Sequence, residues 1–132
     1  MKISELELAY LASQRLGRLA TLAPDGFPQN NPVGFRYNPG LGTIDIGGYR
    51  MGDSRKFGNV RANPKVSFVV DDIASLDPWR VRGVEIRGVA EALTEQDPLR
   101  PGMSGEIIRI HPRRVRSWGL DAPVPSPEQR ER

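Results

Sequence analysis

Turn-forming residues recur along this chain at short intervals, and their spacing constrains the fold more than any other feature. Pro24-Asp25-Gly26, Asn38-Pro39-Gly40-Leu41-Gly42, Asn63-Pro64 and the Pro/Gly-rich run from Asp97 to Gly102 each interrupt an apolar or alternating segment. The segments between them have strand lengths: Arg18 to Ala23, Pro28 to Tyr37, Thr43 to Gly47, Lys65 to Val70, Trp79 to Leu93 and Glu106 to Ile110. In the longest, Val84, Ile86 and Gly88 alternate with Glu85 and Arg87, the period of a sheet with one packed face. Asp71 to Pro78 reads as a polar loop. Helical signals are confined to two places. Ser4 and Glu7 form a capping box ahead of an amphipathic run to about Arg15, with Gly17 as the expected stop. Asp53 or Ser54 can cap a second short helix that ends near Ala62, before Asn63-Pro64. About six strands joined mostly by tight turns predict a mainly β fold, an antiparallel barrel with two short flanking helices.

A chain of 132 residues has the length of one domain. That domain is expected over residues 1–121. Residues 122–132 are Pro-, Glu- and Arg-rich without apolar periodicity and are expected to form a disordered tail. So small a domain gains burial from a second copy of itself. The absence of cysteine excludes disulfide and thiolate chemistry, and a single histidine, His111, argues against a His/Cys metal site. The opening MKISELELAY is acidic where a signal peptide is apolar, and no apolar run reaches the roughly 18 residues of a membrane span. These features predict a cytoplasmic protein with no membrane contact and no metal.

A formal net charge of +3 favours anionic partners. Aromatic residues make up 7% of the chain and are not interleaved with the cations as a base-stacking platform, which argues against nucleic acid. The densest candidate for anion binding is Ser54-Arg55-Lys56 at the predicted start of the second helix. Free backbone N–H groups and the positive end of a helix suit a phosphate. Arginine adds a planar fork, lysine a point charge and serine a hydroxyl. Gly47 and Gly48, just upstream, let a backbone approach a flat ligand closely. The alternative is a capped surface helix with solvated cations. Arg50, Arg80 and Arg82 extend the basic surface, with Arg80 and Arg82 on one face of a strand. Trp79 and Trp118 can cover a flat ring or plug a barrel or interface.

The order of these features resembles the pyridoxamine 5′-phosphate oxidase-like split-barrel superfamily, and within it the branch that uses the deazaflavin coenzyme F-420. The resemblance spans roughly Leu6 to Leu120. It rests on GRLATLAPDGFPQNNPVGFRY, TIDIGG, SRKFGNVRANPKVSFVVDD, VRGVEIRGVAEAL and IRIHPRRVRSWGLD. It implies a six-stranded antiparallel split β-barrel that forms a homodimer, with cofactor at the subunit interface. Ser54, Arg55 and Lys56 match the phosphate cluster of similar proteins. The ring system would lie along Asn31, Pro32, Val33, Gly34 and Phe35 and the strand end Ile46 to Gly48. A tryptophan matching Trp118, from the partner subunit, would close the pocket. True pyridoxamine phosphate oxidases flank that strand with an Arg and a Lys. Here Asn31 opens it and the only cation is Arg36, and the longer C-terminal part that recognises the substrate is missing, which argues against vitamin B6 oxidation.

The expected function is therefore an oxidoreductase passing a hydride from reduced F-420 to a conjugated small molecule: an enone, a quinone or a tetrapyrrole-like acceptor. A deazaflavin moves a hydride without a metal or a covalent nucleophile, in keeping with this composition. No catalytic side chain is assigned. FMN in the same fold, or a cofactor-binding protein without turnover, are the alternatives. FMN lacks the glutamate tail that Arg50, Arg80 and Arg82 would complement.

Overall fold

A computed structural model describes residues 2–121 of the chain. The tail expected beyond them lies outside the described residues. The elements are α1 (Glu5–Ser13), β1 (Leu16–Leu22), β2 (Pro28–Gly34), β3 (Arg36–Asn38), β4 (Thr43–Ile46), α2 (Arg55–Ala62), β5 (Lys65–Leu76), β6 (Trp79–Leu93) and β7 (Ile107–Trp118). The Ser4–Glu7 capping box is present in both directions at the start of α1. α1 ends on Gln14, earlier than expected, because Gly17 belongs to β1. There the Phe68 ring occupies the space of a side chain: a Cβ on Gly17 would lie 2.4 Å from Phe68 Cζ.

All seven strands form one antiparallel sheet in the order β2-β1-β5-β6-β7-β4-β3. The two edge strands, β2 and β3, are consecutive in the chain and separated only by Phe35. A sheet whose opposite edges are one residue apart must curl until they meet. The result is a sheet curled into a half-barrel, its two edges linked by the chain at Phe35 with no β2–β3 ladder. Seven strands replace the expected six because the segment from Pro28 to Tyr37 breaks at Phe35, where it leaves β1 and joins β4. β2 carries Pro28 and Pro32, tolerated because an edge strand has outward-facing backbone groups to spare. The core holds Leu19, Ile44, Ile46, Phe57, Phe68, Val70, Ile86, Ile108 and Ile110. Phe35 meets Phe68 edge-on, with centroids 5.2 Å apart.

The stretch Asp71 to Pro78 is not a loop. β5 continues to Leu76 and turns at Asp77-Pro78 into β6, so that β5 and β6 form a long arm. Cross-strand partners neutralise the carboxylates that look like turn residues: Asp71 pairs with Arg18 and Asp72 with Arg82.

Candidate active site

α2 is placed by a 3-10 turn at Met51–Asp53 and by its own cap. Ser54 Oγ accepts from the Phe57 backbone N–H at 3.3 Å and donates to the Met51 carbonyl at 2.6 Å. The serine hydroxyl is thus occupied in building the helix start. The side chains of Arg55, exposed, and Lys56, half-buried, have no acidic partner among the described residues. Behind them, Phe57 and Val60 are buried and fix the helix to the barrel. Asn59, absent from the sequence-derived candidates, locks it laterally. Its Nδ2 donates to Thr21 Oγ1 at 3.0 Å and to Gln29 Oε1 at 2.8 Å, and Gln29 Nε2 donates to Asn31 Oδ1 at 3.0 Å. A polar chain therefore joins the helix carrying Arg55 and Lys56 to the strand carrying Asn31. An asparagine inside the apolar face of a short helix was the available signal.

Along β2, Asn31 is half-buried, Pro32 exposed and Val33 buried. Gly34 has nothing within 4 Å of a Cβ position, so the backbone there is open to a flat ligand. Gly47 differs: its Cβ position lies 3.1 Å from Leu99 Cδ1 and from Met103 Sδ, so the chain's own loop covers it. The Gly48 carbonyl accepts from the Ser104 backbone N–H at 2.9 Å and from Ser104 Oγ at 3.0 Å. Arg50 reaches Asp53 at 3.4 Å, with both side chains largely in solvent.

One expected cation, Arg82, is spoken for, and so is Arg109, which the sequence did not single out. Arg82 makes a two-pronged pair with Asp72 at 2.8 and 3.1 Å, and Tyr10 Oη donates to Asp72 Oδ1 at 2.7 Å, pinning α1 to the arm. The bond from Arg82 holds the Asp72 carboxyl below its ordinary value. Burial, reinforced by the bond to Asp72, raises the Tyr10 phenol. Arg109 pairs in the same way with the buried Asp45, at 3.1 and 3.2 Å. Burial works against the Asp45 charge, but bonds from Arg109, Asn38 and Thr43 outweigh it and lower the pKa.

Trp79 and Trp118 lie away from α2. The Gly52 N–H donates to Glu106 just before β7, fixing the start of α2 near Leu93 of β6, which pairs with Ile107. Trp118 instead pairs with Gly83, ten residues or about 30 Å back along β6. Trp79 and Trp118 share a face of the arm with Ile73, Leu76 and Val81, each at least 40% exposed.

The family model described as pyridoxamine 5′-phosphate oxidase matches residues 4–119. The chain belongs to the pyridoxamine 5′-phosphate oxidase family. It is an enzyme of the oxidoreductase class, with that family's split barrel. It is 48% identical over 122 residues to a 5a,11a-dehydrotetracycline/5a,11a-dehydrooxytetracycline reductase of Streptomyces rimosus, covering 92% of this chain and 86% of that one. Among solved structures, a conserved hypothetical protein from Mycobacterium tuberculosis aligns with TM-score 0.69 and 28% identity over 90% of this chain and 86% of its own. An F-420 reductase aligns with TM-score 0.68 and 23% identity over 86% of this chain and 98% of its own, a likeness of fold.

Proposed function

We propose that this family member is a reductase that takes a hydride from reduced F-420 and delivers it to a conjugated small-molecule acceptor. The observation that carries the proposal is the pair Arg55 and Lys56. They sit at a capped helix start without an acidic partner among the described residues, while Arg82 and Arg109 are both saturated by carboxylates. Two uncompensated cations beside free helix N–H groups fit a phosphate. Asn31 to Gly34, tied to the same helix through Gln29 and Asn59, offers an open backbone for a ring system. When bound, F-420 supplies the hydride; the protein's part is to hold the phosphate, align the ring and shield it from water. The similarity to a dehydrotetracycline reductase supports a conjugated, polycyclic enone as the acceptor class.

The test is equilibrium titration of the purified protein with F-420 and with FMN, followed by fluorescence. Micromolar binding of F-420 with negligible FMN binding is expected. Equal weak binding of both would sink the cofactor assignment.

The apolar face of the arm, where Ile73, Leu76, Trp79, Val81 and Trp118 form an exposed patch, supports a homodimer; a partner's tryptophan reaching the cofactor would place the cofactor at the interface. Sedimentation should give twice the chain mass at micromolar concentration. A monomer under those conditions would remove the partner tryptophan from the site.

A further inference from the structure

A cavity of about 700 Å³ opens between α1 and the chain that follows Phe35. Of the residues assigned above to phosphate or ring, Phe35 alone is among the described residues that line it. Its size lies within the roughly 300–1,000 Å³ that houses a drug-sized molecule. The wall is chemically one-sided. Leu8 and Leu11 of α1 supply an apolar surface, and Phe35 and Tyr37 supply aromatic faces. Arg15, Arg36 and Arg100 bring three guanidinium groups, and no carboxylate among the described residues lines the space.

Among the described residues those charges meet no carboxylate. Arg36 donates to the Leu99 carbonyl at 2.6 Å, a bond to a neutral group. Arg15 and Arg100 have no acidic partner among the described residues. Location adds a second argument. A smaller adjoining pocket is lined by Gly34 and Gly47 together with the same Phe35, Arg36 and Arg100. The large cavity therefore shares a wall with the open stretch of β2.

We propose that this cavity is the acceptor site and that it selects a planar, apolar ring system bearing an acidic group, with Arg15 and Arg100 setting that specificity. The assignment to the acceptor rests on the reductase reading above; the preference for an anion rests on the cavity alone. Aromatic walls favour a flat molecule, and guanidinium forks favour a carboxylate, sulfonate or acidic enol over a neutral group. Arg15, Arg36 and Arg100 are all exposed at the cavity wall, and an acidic occupant would give them a counter-charge that a neutral one does not.

Two quinones differing in one charge, naphthoquinone and naphthoquinone sulfonate, make the comparison. In enzyme loaded with reduced F-420, Arg15→Gln and Arg100→Gln should each lower the ratio of kcat/KM for the sulfonate to that for the neutral quinone by about tenfold. The change should appear in KM, while the Kd for F-420 stays within about twofold of wild type. An unchanged ratio overturns the proposal. So does a loss of F-420 affinity in its place, which would give the cavity to the glutamate tail. Calorimetry of the sulfonate with cofactor-free protein separates this idea from the reductase reading. Binding that weakens about tenfold in both variants supports the anion preference even if F-420 never binds, in which case only the reductase reading fails. Binding at full strength in the variants overturns the preference even where turnover with F-420 is intact.

Discussion

Two sets of cations on this barrel have the same side chains and opposite surroundings. Arg82 and Arg109 each face a carboxylate in two-pronged contact, with further donors from Tyr10 in one case and from Asn38 and Thr43 in the other. Arg55 and Lys56 stand at the mouth of α2 with no carboxylate beside them among the described residues. The first set is spent on the fold: Asp45 gathers β3, β4 and β7, and Asp72 gathers α1, β5 and β6. The second set makes no ion pair among the described residues, so its charge is available to a ligand. Counting arginines in the sequence cannot separate these groups, but asking which carboxylate each one meets does.

That contrast breaks most visibly at Asp45. Asp45→Ala strips the acceptor from Arg109, whose guanidinium is mostly buried, as well as from Asn38 and Thr43. Leaving such a charge unpaired costs about 3–5 kcal/mol, to be read from urea unfolding. A loss under about 1 kcal/mol would mean that the pair adds little to the fold. The reverse pattern is expected for Arg55→Ala with Lys56→Ala. Stability should stay within about 0.5 kcal/mol, as for exposed substitutions away from structural contacts. F-420 binding should weaken by about 3 kcal/mol, the worth of charge-assisted bonds to a phosphate. Comparable losses in both measurements would erase the distinction between the two sets.

A smaller effect concerns pH. The folded pKa of Asp72 lies below the ordinary aspartate value of 3.8, so its stabilising share is complete above that value and is lost as pH falls through the folded pKa. Asp72→Asn should therefore cost about 1 kcal/mol at neutral pH, with the two proteins converging in acid. A gap that stays constant with pH would show that the charge of Asp72 is irrelevant to its role.

Much of the fold was legible because its signals are local. The Ser4 capping box, the Ser54 cap and the bounds of β6 at Trp79 and Leu93 follow from residues within a few positions of each other. What escaped depends on distant partners. Asp71 and Asp72 look like loop residues until Arg18 and Arg82 are placed across from them. Gly17 looks like a helix stop until Phe68, far along the chain, covers it. β7 runs to Trp118, well past the expected end at Ile110, because its arginine-rich half pairs with β6. At the candidate site, the sequence pointed to Arg55 and Lys56 and to β2. Asn59, which binds them together, and the cavity along α1 appear only when helix and strand are brought side by side.

The prolines of β2 carry a consequence for assembly. One edge of the sheet has Pro28 and Pro32, which cannot donate to a neighbouring strand, and the other edge is the three-residue β3. Neither offers a template on which a foreign strand could be laid down, the usual route by which open sheets grow into aggregates. Copies of this protein can meet through side chains, as along the apolar face of the arm, while among the described residues neither edge of the seven-stranded sheet invites a further strand.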